Sequence, residues 1–254
     1  TMGNGLAGTL VSVRASEEGF APIVTGAVMA AYFAGFVAGS FVLPALVRRV
    51  GHIRTFAALI SLASIAALAY ALWIEPVFWT ILRFAHGACL AGGIMVIESW
   101  LNAIARRETR GRILALHGIV IFAAWSLSQF WLTAAPVGGF VLFIVVSMLK
   151  SAAMLPLLLT DVRAPEVAPA TRAPLSKLVA TSPLAVVACF AVGVVTGTTL
   201  SLGPVYAAEL GLDRDGVGLF MAALLLGAMV LEWPLGAGSD RVDRRWVLDR
   251  KSVV

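Results

Sequence analysis

The stretch Val77–Ala105, VFWTILRFAHGACLAGGIMVIESWLNAIA, decides the fold. It is apolar over more than the roughly 20 residues that an α-helix needs to cross ~30 Å of hydrocarbon. Only Arg83, His86 and Glu98 interrupt it with acidic or basic side chains. Six further runs have the same character: Pro22–Val47, Ile53–Trp73, Arg112–Thr133, Val137–Thr160, Pro183–Tyr206 and Gly216–Gly238. An eighth, Met2–Val13, is too short to span. Apolar residues make up 60% of the chain and charged residues 13%, against about a quarter charged in soluble domains. The runs lack period-2 alternation and are too long for tilted strands, which excludes a β-barrel. The expected fold is all-α and polytopic.

The net charge of +5 raises the possibility of nucleic-acid binding, and the placement of the charges argues against it. Of 19 Lys and Arg residues, 15 fall in alternate connections: Arg48, Arg49, Arg54; Arg106, Arg107, Arg110, Arg112; Arg163, Arg172, Lys177; Arg241, Arg244, Arg245, Arg250, Lys251. The other connections hold Arg14 and Arg214 with Glu17, Glu18, Glu75, Glu209, Asp213 and Asp215. This is the positive-inside asymmetry, so the loops at 48–54, 106–112, 161–182 and 239–247 are expected to be cytoplasmic. No soluble basic face exists for nucleic acid. Cys89 and Cys189 lie in apolar runs without partners at ligand or disulfide spacing and read as buried small hydrophobes.

The segment after the sixth span is Ala- and Pro-rich, with Pro165, Pro169 and Pro174, and reads as an extended linker. The expected organisation is a six-helix bundle over 1–160 with a truncated first helix, a linker at 161–182, and the start of a second bundle over 183–248. The opening run reaches Arg14 within thirteen residues and is expected to be the second half of a longer helix. Twelve helices are expected in the full-length protein. The last six residues, 249–254, resemble a translated sequencing adapter and are set aside.

The two parts share a feature. Pro44-Ala45-Leu46-Val47-Arg48-Arg49-Val50-Gly51-His52-Ile53-Arg54 follows the second span. Gly236-Ala237-Gly238-Ser239-Asp240-Arg241-Val242-Asp243-Arg244-Arg245 follows the eighth. Such an internal repeat is a transporter signature. The second copy resembles the loop motif G-x-x-x-D-R-x-G-R-R/K of the major facilitator superfamily, with Asp243 in place of a preferred Gly. The first copy departs further, since Pro44 and Arg48 replace the leading Gly and the acid, while Arg49, Gly51 and Arg54 remain. Arg83-Phe84-Ala85-His86-Gly87 resembles the superfamily's R-x-x-x-G motif. Glu98-Ser99-Trp100-Leu101-Asn102, Arg110-Gly111-Arg112, Gln129 and Glu232-Trp233-Pro234 are similar to a YcaD-like branch. The resemblance covers almost the whole chain. It implies an integral protein of the bacterial inner membrane in which Arg83 faces a central cavity, binding anions or coupling to protons. It also implies that Arg49, Gly51, Arg54, Gly236, Asp240, Arg241, Arg244 and Arg245 form a cytoplasmic gate.

Arg83 is the sharpest signal read from the residues themselves. A charge inside a spanning helix costs roughly 2.5–3.5 kcal/mol on insertion scales, so it normally meets a partner or a watery cavity. Arg83, Gly87, Ala91, Ile94 and Glu98 fall within an arc of about 80° on a helical wheel. Arg83 and Glu98 lie ~22 Å apart along the axis and cannot pair directly. Glu98 and Glu232, one in each part, are candidates for proton coupling or for gate ion pairs with Arg106, Arg112 or Arg241. Gln129, with Trp125 and Phe130, is a candidate substrate contact. Lys150 reads as a peripheral side chain snorkelling toward the cytoplasm. The series Ala27, Ala31, Gly35, Gly39 and Gly193, Gly197, Ser201 read as close-packing stripes. His52, His86 and His117 share no ligand spacing, so no metal is expected, and His86 beside Arg83 is the one of interest.

The leading expectation is a secondary transporter of a small solute, ion- or proton-coupled, acting in the lipid bilayer. The alternative is a non-transporting scaffold or sensor with the same fold. No G-x-x-x-x-G-K-[ST] loop occurs, and no nucleophile–base pair recurs, so neither a nucleotide nor another cofactor nor an enzymatic activity is expected. Arg83 favours an anionic or polar solute, and the apolar walls suit a lipophilic one equally well.

Overall fold

The computed structural model describes residues 1–106, 109–159 and 179–241, with side chains as far as residue 230. No strand occurs among these residues. The helices are α1 (Met2–Glu17), α2 (Pro22–Val50), α3 (His52–Leu72), α4 (Pro76–Ile104), α5 (Arg110–Gln129), α6 (Val141–Leu158), α7 (Pro183–Glu209) and α8 (Arg214–Arg241). A short 3-10 turn, Phe130–Thr133, extends α5. Six helices among the described residues are long and apolar enough to span a membrane: α2, α3, α4, α5 with its 3-10 turn, α6 and α7. The expected linker at 161–182 lies largely outside the described residues, and the segment 249–254 entirely so.

Local sequence sets the helix ends. Pro22, Pro76 and Pro183 open α2, α4 and α7, where a missing N–H costs nothing and a fixed φ favours the helix. Glu75 caps α4 by accepting a hydrogen bond from the Phe78 backbone N–H at 2.7 Å. Gly51 has φ of +94°, so the chain reverses between α2 and α3 within one residue. At the end of α1, Arg14 pairs with Glu18 at 2.6 Å and donates to the Val137 carbonyl at 3.1 Å. These contacts carry α1 to Glu17, beyond the Met2–Val13 run expected from hydropathy.

The most extensive pairing is α2 against α4, and glycine makes it possible. A Cβ on Gly35 would overlap the Phe84 carbonyl, and one on Gly87 would overlap the Tyr32 carbonyl. Backbone therefore touches backbone where these helices cross. Ala27 is exposed, so the small-residue stripe of α2 packs only through its later members. α3 lies against α4 and α6, while α1 packs on α5, α6 and α7. Leu6, Leu10, Val11, Tyr70, Trp79, Leu142 and Phe143 form the main apolar core. Phe41, Ile65, Leu72, Ile81 and Phe190 are exposed on the outer surface, as expected of side chains that face lipid. Cys89 is buried as expected, whereas Cys189 is exposed because most of α7 faces outward.

Candidate functional site

A cavity of about 330 Å³ lies among α1, α2, α4, α5, α7 and α8. That volume falls in the range of small-molecule sites. Its walls are mostly apolar and aromatic, with Phe33, Phe36, Phe122, Trp125, Leu200 and Met221. Arg83 is the one charged side chain lining it among the described residues.

Arg83 is 3% exposed. Its Nη2 contacts the Met29 sulfur at 2.8 Å, and its guanidinium stands 5.0 Å from the centroid of the Tyr32 ring. The ring face offsets part of the cost of burying the charge. Nε has no partner among the described residues. No Asp or Glu occurs among the buried polar side chains, so a carboxylate does not neutralise this charge within the described core.

Gln129 is 1% exposed and also lines the cavity. Its amide donates to the Trp125 carbonyl at 3.0 Å, which leaves Oε1 unpartnered. Trp125 Nε1 and Asn4 Oδ1 are unpartnered too, and both residues line the cavity. Seven buried side-chain polar atoms among the described residues lack a partner, and four belong to this lining. Unmet donors and acceptors are costly in a dry interior, so their concentration around one cavity makes it the candidate site.

The structure rearranges the expected wall of α4. Arg83, Leu90 and Ile94 line the cavity, whereas Gly87 is spent on the α2 crossing and Ala91 is buried. Glu98 is exposed and does not line the cavity. It forms no ion pair with Arg106 or Arg112 among the described residues, where the pair present is Arg14–Glu18. In the first basic turn, Arg49 and Arg54 are exposed and Gly51 makes the reversal. Gly236, Asp240 and Arg241 lie within α8, but their side chains, like that of Glu232, fall outside the described residues, as do Arg244 and Arg245 altogether.

Lys150 departs from expectation most. It is 7% exposed, and its Nζ lies 2.7 Å from His86 Nε2. It is not a peripheral snorkelling side chain. Gly3 lets α1 lie on α6 beside Val146 and Lys150, which closes the route by which the side chain would reach solvent. Tyr32 and Asn4 were also missed. Asn4 donates to the Tyr32 hydroxyl at 3.1 Å, joining α1 to α2 at the cavity wall.

Comparison with known proteins agrees with this architecture. The model of the Major Facilitator Superfamily matches residues 1–249. This chain belongs to that superfamily. Among its relatives is an uncharacterized MFS-type transporter of Enterobacter sp. (strain 638), 30% identical over 245 residues, or 94% of this chain and 63% of the relative. The uncharacterized MFS-type transporters YcaD of Escherichia coli O7:K1 and Escherichia fergusonii are 29% and 26% identical, with the same coverage. The chain thus spans 63% of the length of these curated relatives.

Proposed function

We propose that the full-length protein is a secondary active transporter of the bacterial inner membrane that moves a small amphipathic organic anion by alternating access, coupled to protons. The observation that carries this reading is Arg83: a buried guanidinium with an unspent donor, lining an aromatic cavity that holds no carboxylate among the described residues. A scaffold has no use for a charge so placed. The aromatic walls favour a flat apolar body. Asn4 Oδ1 and Gln129 Oε1 favour a solute that also carries a hydrogen-bond donor.

Two hydrogen bonds bear on the transport cycle. Ser12 donates to the Ser201 carbonyl at 2.9 Å, and Ser126 donates to the Ala222 carbonyl at 3.0 Å. Among the described residues these are the side-chain bonds that join the first six helices to α7 and α8. Both lie toward the side of the acidic connections, which the charge asymmetry makes external. They support an arrangement closed on the outside, with the basic loops at 48–54, 106–112, 161–182 and 239–247 in the cytoplasm. Asp240 and Arg241, with Arg49, Gly51, Arg54, Gly236, Arg244 and Arg245, form the opposing cytoplasmic gate. Glu98, exposed and outside the cavity lining, belongs to that gate.

Binding of hydroxynaphthalenesulfonate to the detergent-purified full-length protein tests this reading. The probe carries an aromatic body, a fixed negative charge and a donor. Calorimetric titration is expected to show saturable binding of this anion and none of the N-methylquinolinium cation. Equal binding of both would refute the reading.

A further inference from the structure

We infer that Lys150 and His86 form a single buried proton-binding site, shared between the two nitrogens, that carries the coupling proton of the transport cycle. The inference rests on the anion reading of the Arg83 cavity for its place in transport, and on geometry alone for the proton site itself.

The Lys150 Nζ and His86 Nε2 nitrogens are 2.7 Å apart, and both side chains are buried. At that distance one nitrogen donates and the other accepts. Either an ammonium donates to a neutral imidazole, or an imidazole N–H donates to a neutral amine. Two protonated partners would face each other donor to donor in a dry interior, and like charges that close oppose a second proton. The pair thus has two accessible states, neutral and singly charged.

The surroundings reinforce this. Among the described side chains, Arg83 and Cys89 of α4, Tyr32 of α2 and Tyr70 of α3 are the titratable or charged groups that face the pair and its neighbour Arg83. None is a carboxylate, so no anion of the described core holds the proton permanently. His86 Nδ1 has no partner, which leaves the ring free to exchange tautomers without breaking another bond. The Tyr32 ring meets His86 edge-on at 5.9 Å and also lies 5.0 Å from the Arg83 guanidinium. The proton site therefore stands one side chain behind the anion site.

The step balances simply. Water on one face gives up a proton, an N–H bond forms at the neutral pair, and the pair becomes a monocation behind Arg83. The added charge favours an anion in the cavity. On the other face the N–H bond breaks, the proton returns to water, and the anion leaves with it. One proton travels with one monoanion, without net charge movement.

Lys150→Arg separates this role from a structural one, because arginine keeps the donor and the charge but does not release its proton. The first measurement needs no solute: potentiometric titration of the purified full-length protein between about pH 5 and about pH 10. Lys150→Arg is expected to exchange one proton fewer than the wild type. The double variant Lys150→Met/His86→Gln, used whether or not Lys150→Arg inserts, is also expected to exchange one fewer. An unchanged count, or a loss of two in the double variant, overturns the shared site. The second measurement uses hydroxynaphthalenesulfonate in proteoliposomes. Lys150→Arg should keep solute–solute exchange while losing at least tenfold in uptake driven by a pH gradient. Loss of both in equal measure, or of neither, overturns the coupling role. Wild-type vesicles that transport no probe would overturn the anion reading and the coupling role drawn from it, while the proton count still decides the site.

Discussion

The crossing of α2 and α4 makes a graded prediction about stability. A Cβ on Gly39 would stand 2.8 Å from the Ala88 Cα. Ordinary carbon–carbon contact begins near 3.5 Å, so Gly39→Ala requires the helices to part by about 0.7 Å. For Gly35 and Gly87 the added carbon falls on a backbone carbonyl, and the helices would have to part by well over an ångström. Overpacking of this kind costs typically 1–3 kcal/mol. Alanine recovers up to about 1 kcal/mol of helix propensity over glycine. Gly39→Ala is thus expected to lose up to about 2 kcal/mol, and Gly87→Ala about 2 kcal/mol or more. Gly26, on the same helix, has nothing within 4 Å of its added carbon and serves as the control. Gly26→Ala should match or exceed wild-type stability. The assay is thermal unfolding of the detergent-purified full-length protein, followed by its monodisperse fraction. The expected order of melting temperatures is Gly26→Ala, then Gly39→Ala, then Gly35→Ala and Gly87→Ala. If Gly87→Ala melts with Gly26→Ala, the backbone contact on which the Arg83 wall rests is wrong.

Two further outcomes are expected. With Cys89 and Cys189 replaced, a single cysteine at position 75 or 213 should react with an impermeant reagent added to intact cells, and one at position 107 should not. Strong external labelling at 107 would reverse the topology. Asp240→Asn in the full-length protein should insert normally, slow turnover and shift the population toward the inward-open state, read by the accessibility of a cysteine in the external vestibule. An unchanged equilibrium would reduce the basic turn to a topology signal.

The helices were legible because hydrocarbon thickness imposes a length that composition reveals directly. Arg83 was legible for the same reason, since a charge deep in a 29-residue apolar helix stands out. Gln129 was found through resemblance rather than periodicity, and the structure brings it to the same cavity as Arg83. The helical wheel put Glu98 on the face of Arg83 and the rise per residue put it ~22 Å away. The structure leaves it exposed, outside the cavity lining. Lys150 was misread because its partner His86 lies 64 positions away on another helix. Nothing in the α6 sequence tells a lysine that snorkels from one that α1 covers. The small-residue stripe of α2 was read correctly as packing at Gly35 and Gly39, but sequence spacing did not reveal that its partner is the backbone of α4 around Phe84 and Ala88.

The central claim is that Arg83 holds a transported anion. Initial uptake of hydroxynaphthalenesulfonate into proteoliposomes, normalised to inserted full-length protein, tests it most directly. Hydrogen bonds to a charged group contribute about 1.5–3 kcal/mol, which corresponds to roughly 10- to 100-fold in rate if they are made in transit. Arg83→Lys should keep folding and lose most of the uptake, because a point charge does not reproduce the guanidinium fork. Arg83→Gln should lose more. Uptake by Arg83→Gln at the wild-type rate, with the wild-type dependence on pH, would make Arg83 a structural charge and contradict the account.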